Sequence, residues 1–234
     1  MSEHQSTRAI AGIAAPIVLM AIGAGLIIFA LSYWRVTGWG ALIWFAGFVG
    51  QIIIRAPHAR RNAKNQIVDD KKDASERLML GAMFLTMVIF PLVHLATGLF
   101  SFADYVLPDW ATAVGAVLQV PFLWLFWRSH ADLGQNWSAT LEVRAEHKLV
   151  THGVYARVRH PMYSAIWLCA LAQPMLIHNW IAGLLVIPAF AVMSIFRIPR
   201  EEAMMRETFG ADYDAYSERT GQLVPKIATS GGRP

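Results

Sequence analysis

Residues 162–196 form a run of 35 positions without a single aspartate, glutamate, lysine or arginine. A helix crosses the hydrocarbon core of a bilayer with roughly 20 mainly apolar residues, in a range of about 17–25. The run is too long for one crossing, and Pro174, His178 and Asn179 stand near its middle. It therefore reads as a short hairpin of two helices turning near 177–180. Four earlier stretches share its character. They are 10–31, which has no charge; 37–54, with Gln51 polar in its interior; 78–102, interrupted by Pro91 and His94; and 110–127. Backbone groups in lipid must be satisfied within their own segment, so such stretches are helices. The expected fold is all-α: an integral membrane bundle of about six membrane helices, the last two a short hairpin. A cytosolic loop at 55–77 and an amphipathic C-terminal helix complete it. If 162–196 enters and returns without crossing, four full spans and a re-entrant hairpin remain. His94 and Gln51 are expected to hydrogen-bond between helices.

Composition and charge placement support this reading. The chain is 56% hydrophobic and 15% charged, with a mean hydropathy of +0.41, whereas soluble domains are about one quarter charged. With both termini inside, the inner segments 1–9, 55–77, 128–161 and 197–234 carry one, seven, five and six of the 20 lysines and arginines. Only Arg35 falls in an outer loop. Such a bias sets orientation, with the termini and the large loop cytoplasmic. The same segments hold 14 of the 16 acidic residues, so the net charge of +4 is spread as insertion requires, and nucleic acid is not an expected partner. Cys169 is alone, which excludes an internal disulfide and a cysteine-cluster metal site. The histidines show no metal-ligand spacing. The first apolar run is too long for a signal-peptide core.

Two polar segments exceed what topology requires. In 128–163, Gly134 and Gly153 permit tight turns. His160 precedes a proline and so avoids the helical region, while Pro161 suits the first turn of the next helix. Arg159 and His160 then stand at a helix mouth, where free N–H groups and the dipole favour an anion. In 197–219, Arg197 and Glu201 are four apart and share a helical face. Pro199 is placed to bend that helix. Met205, Phe209, Tyr213 and Tyr216 form an apolar stripe, with Gly210 a break. The hairpin between the two segments brings them together. Each residue also has a plain structural reading: an interfacial aromatic, a snorkelling arginine, or a solvated acid.

The quoted run "HKLVTHGVYARVRHPMY" at 147–163, with Glu201-Glu202 and "FGADYDAYSERT" followed by "VP", resembles the isoprenylcysteine carboxyl methyltransferase family, which is related to the membrane phospholipid methyltransferases. The resemblance covers roughly 130–225; the N-terminal spans carry no signature. It implies S-adenosylmethionine as methyl donor, bound at the cytosolic edge without a Rossmann domain. Carried over by position, His147, Lys148, Leu149, Val150, Tyr155, His160, Pro161, Met162 and Tyr163 would line the cofactor pocket. Glu201 matches the acid that contacts the cofactor, with Glu202 beside it. Arg197 matches the arginine that meets the substrate, and Arg159 is the second catalytic candidate. Thr140 stands where prenylcysteine-type relatives can place a glutamine. The implied function is methyl transfer to a lipophilic or small thiol, carboxylate or amine acceptor, next to membrane lipid. An NADPH-dependent reductase of the sterol-reductase type and a non-enzymatic scaffold are the alternatives. The division expected is 1–127 for the N-terminal spans, 128–225 for the methyltransferase region and 226–234 for a disordered tail. The oligomeric state and the acceptor are not specified by these residues.

Overall fold

A computed structural model describes residues 34–62, 67–70, 74–134, 142–144 and 149–226. The apolar run 10–31, the positions His147 and Lys148, Thr140 and the segment 227–234 lie outside them. Helix α1 (Trp34–Asn62) carries a kink at Gly38. Helix α2 (Ala74–Phe84) passes through a π-helical turn, Leu85–Ile89, into α3 (Phe90–Thr97). Helix α4 (Asp109–Leu133) and the shorter α5 (Pro161–Leu176) follow. A second π-helical turn, Trp180–Leu184, leads into α6 (Val186–Phe209) and α7 (Ala211–Arg219). Four segments are long and apolar enough to cross a membrane: Gly38–His58, Ala74–Thr97, Asp109–Leu133 and Trp180–Phe209. This is an integral membrane helical protein.

The connector 55–77 is more structured than a solvated loop. Its start belongs to α1, and β1 (Ile67–Asp70) pairs antiparallel with β2 (Glu142–Arg144). That ribbon ties together two segments on the same end of the bundle, and supplies backbone partners to both.

The interruption at Pro91 is absorbed rather than breaking the helix. Proline has no N–H to give to the preceding turn, and the Phe90 N–H donates to the Leu85 carbonyl, five residues back. The Thr86 carbonyl is thereby deprived of a helical donor. Gln173, fully buried on α5, donates to it at 2.9 Å and to the Ala182 carbonyl at 2.8 Å, while accepting from Trp44 Nε1 at 3.3 Å. One amide thus links α1, the first π-turn, α5 and the second π-turn. This is the helix-linking role expected of His94 and Gln51. His94 instead faces Asp104 at 3.5 Å.

The turn expected near 177–180 is present. The Asn179 side chain accepts from the Ile181 and Ala182 N–H groups and donates to the Phe100 carbonyl and to Asp104, the latter two at 2.7 Å. Apolar packing holds the helices elsewhere. Phe122 and Phe126 of α4 meet Ala165 and Cys169 of α5. Ala41, Trp44 and Phe45 of α1 pack on Leu92, Leu95 and Leu176. Gly210 ends α6 at φ +52, a backbone region that side chains disfavour, so Tyr213 and Tyr216 fall on the separate helix α7.

Candidate active site

Chemistry-bearing residues collect at the end of the bundle opposite Asn179. Pro161 occupies the first turn of α5, and His160 stands just before it with non-helical backbone at φ −120, ψ 59. The loop before it is fixed from α4. Asp132, paired with Arg128 at 2.6 Å, accepts the Val154 N–H at 2.9 Å. Tyr155 is buried, donates to the Ser129 carbonyl at 3.3 Å, and its own carbonyl accepts from the Tyr216 hydroxyl at 2.7 Å. Burial, then the neighbouring Tyr216, Glu201 and Asp132, push the Tyr155 phenol well above its ordinary range. Burial likewise raises Tyr216 to about 12. Both hydroxyls therefore act as neutral donors.

Helix α6 meets this loop with Arg197, Glu201 and Glu202. Glu201 Oε1 accepts from Arg197 Nε at 2.8 Å and from the Tyr163 hydroxyl at 2.8 Å. Its Oε2 lies 3.5 Å from His160 Nδ1. The other ring nitrogen of His160 lies 3.3 Å from Glu202 Oε1. Glu202 also accepts from Arg159 Nε at 3.1 Å and from Gln222 Nε2 at 3.1 Å, and faces Arg206 at 3.5 Å. Across the bundle, Glu76 at the start of α2 approaches Arg197 Nη1 at 3.8 Å and is 1% exposed. Three carboxylates, three guanidiniums and one imidazole thus share a small volume. Glu201 is the carboxylate with an open edge, its side chain 20% exposed against 10% for Glu202. Tyr163 stacks on Phe190 at 5.9 Å, with Trp167 beside that ring.

Burial works against charge on His160, but its hydrogen bonds to Glu201 and Glu202 and the charge of both outweigh it, so its pKa is raised. A raised folded-state value contributes stability that is complete below the ordinary histidine value of 6.5 and is lost as pH climbs through the raised one. Thermal stability in detergent should therefore hold on the acid side and fall on the alkaline side. His160→Asn should lack that alkaline loss; the same loss in the variant would remove His160 as its source.

Of the residues expected at the site, Arg159, His160, Tyr163, Arg197, Glu201 and Glu202 come together. Pro161 fixes the helix start. Leu149 and Val150 begin the loop, with Val150 buried. Met162 packs toward the α4–α5 core instead. Glu76 and Gln222 were not among the expected residues. The acid Glu76 at the boundary of a long apolar run is a signal of the first; nothing local marks the second.

The model of the isoprenylcysteine carboxyl methyltransferase family matches residues 116–207. That range contains the six converging residues, while Glu76, Tyr216 and Gln222 lie outside it. Protein-S-isoprenylcysteine O-methyltransferase B of Arabidopsis thaliana is 36% identical over 100 residues, which are 40% of this chain and 49% of that protein. The protein-S-isoprenylcysteine O-methyltransferase of Schizosaccharomyces pombe is 37% identical over 82 residues, 35% of each. The chain thus spans no more than about half the length of these curated relatives. The solved structure of the eukaryotic intramembrane Ras methyltransferase ICMT without a monobody is similar in fold. Its TM-score is 0.55 at 19% identity, over 97% of this chain and 88% of that one.

Proposed function

We propose that this chain, whose residues 116–207 match the model of the isoprenylcysteine carboxyl methyltransferase family, belongs to that family and is an integral membrane methyltransferase using S-adenosylmethionine. The acceptor is a lipophilic or small thiol, carboxylate or amine. The relatives' names put the carboxylate of an S-isoprenylcysteine first. The observation that carries the reading is Glu201, a carboxylate held by Arg197, Tyr163 and His160 yet open on one edge.

The residues fit the donor's groups. The open edge of Glu201 can accept from an ammonium or from ribose hydroxyls. No side chain caps α5, and its first-turn amides and dipole favour a carboxylate. The faces of Tyr155 and Tyr163 suit a sulfonium or a purine. The donor supplies a methyl group on sulfur with a good leaving group already in place. The protein's task is then mainly to hold the partners in line, and no strong base is required of it when the acceptor is a carboxylate or thiolate. Arg197, bracketed by Glu201 and Glu76, presents a fixed guanidinium for orienting such an anion. The ring of His160, set between two carboxylates, holds Glu201 in its orientation.

The finer architecture belongs to the same proposal. Six membrane helices are reached by adding 10–31 and reading 162–196 as a hairpin, with the termini and the site cytoplasmic. The bias of lysine and arginine supports that orientation. Residues 1–127 form the membrane anchor and 128–225 the methyltransferase region, to which α2 contributes Glu76.

Incubating purified protein with donor labelled in its methyl group and an S-prenylated cysteine should place label in the organic phase. The absence of both donor binding and label would overturn the proposal, and stabilisation by NADPH alone would replace it with the reductase reading.

A further inference from the structure

Beyond α7 the chain does not leave the site. Residues 220–224 turn back and run beside 157–160. The Arg159 N–H donates to the Gly221 carbonyl at 2.8 Å, the Gly221 N–H to Arg157 at 3.0 Å, and the His160 N–H to Gln222 at 3.0 Å. The Ser164 hydroxyl donates to the Leu223 carbonyl. Gly221 has no room for a side chain, because a Cβ there would overlap the Val224 carbonyl oxygen. The Arg159 guanidinium, expected to be catalytic, donates instead to the carbonyls of Ser217 at 2.9 Å and Thr220 at 2.6 Å while its Nε binds Glu202. It is an anchor with its donors facing the strap.

We infer that the strap 220–224 is a positioning element of the donor site, acting through Gln222 on Glu202 and through Glu202 on His160. The route is short. Gln222 Nε2 and His160 Nε2 meet the same oxygen, Glu202 Oε1, at 3.1 and 3.3 Å, and His160 Nδ1 faces Glu201 Oε2 at 3.5 Å. Without the amide, Glu202 loses a donor that fixes its rotamer. His160 then loses the fixed acceptor that sets its ring, and Glu201 the donor that orients its open edge. Arg159 holds the strap in register, and Arg159→Lys, which keeps the charge but not the fork, should loosen it. Gln222 touches neither acceptor nor donor in this scheme, so it is a positioning residue. The inference rests on the methyltransferase reading and extends it past the family-matched segment.

The test compares wild type, Gln222→Ala and Gln222→Glu in detergent, by calorimetric donor affinity, by thermal stability without donor, and by methyl transfer. Because Arg159 Nε still holds Glu202 Oε1 at 3.1 Å, losing the one hydrogen bond from Gln222 to this charged group should weaken donor binding only about five- to ten-fold in Gln222→Ala, with kcat and acceptor KM near wild type and stability lowered only slightly. Gln222→Glu should bind the donor well at acid pH, where its protonated carboxyl can donate to Glu202, and lose affinity as it ionises. Glu202 is also faced by His160, Arg159, Arg206 and, more distantly, Tyr213. None of these changes in the variant, so an additional affinity step on the acid side belongs to residue 222. Wild-type affinity in Gln222→Ala overturns the inference, as does a loss of affinity that tracks a loss of stability and shows no acid-side step in Gln222→Glu. Failure of the wild type to bind donor overturns the methyltransferase reading instead.

Discussion

Glu201→Gln should weaken donor binding about 100-fold, the largest loss of affinity at any single position. Two charge-assisted hydrogen bonds end on Glu201 Oε1, from Arg197 and Tyr163, and the His160 ring faces Oε2. Each such bond to a charged group is worth roughly 1.5–3 kcal/mol. The amide removes the charge that an ammonium or a ribose hydroxyl would meet. It also presents an N–H₂ to at least one group that already donates. Glu201→Asp should fall between the two, since it keeps the charge but withdraws the carboxylate by one methylene from Tyr163. Donor calorimetry on the three proteins decides the matter. Wild-type affinity in Glu201→Gln would take this residue out of the cofactor site.

Arg197→Ala should abolish methyl transfer and also destabilise the protein, because Arg197 does more than meet an acceptor. It lies between Glu201 and Glu76, and Glu76 is 1% exposed. Removing one partner of a buried ion pair costs about 3–5 kcal/mol, since the other charge is left without compensation. The part assigned to Glu201 is smaller, because its open edge is screened by water. Combining Arg197→Ala with Glu76→Gln removes the acid that faced Arg197, so the double variant should regain most of the lost thermal stability while remaining inactive. A single variant as stable as wild type would show that Glu76 and Arg197 are not coupled. Recovery of activity in the double variant would show that Arg197 has no part in turnover.

Sequence reasoning reached the parts of this site that local rules govern. Pro161 had to begin a helix, so His160 had to stand at its mouth. Arg197 and Glu201, four residues apart on one helix, had to share a face. Gly210 breaks the helix at φ +52, which a glycine in that pattern announces. The long apolar runs became long helices because lipid leaves the backbone no other solution. Partners set by tertiary approach were not legible. Glu76 reaches Arg197 from α2; its place at the boundary of a long apolar run marked the acid, but nothing in the sequence marked its partner. Arg159 had the right charge and place for catalysis, but nothing in its neighbours disclosed that the chain would return after α7 and occupy its fork. Gln173 was one glutamine in an apolar run. Its purpose follows only from the register shift that Pro91 forces five residues after Thr86, on another helix.

The pairing of Glu76 with Arg197 also imposes an order on biogenesis. Glu76 is synthesised 121 residues before the guanidinium it faces at 3.8 Å. At roughly 5–20 residues per second that interval is on the order of ten seconds. Throughout it, the nascent chain holds this acid at the edge of an inserted span before Arg197 can approach it. The last long helix therefore does more than complete the site: its docking brings Arg197 to an acid laid down with the early spans, so this contact forms only once α6 has been made.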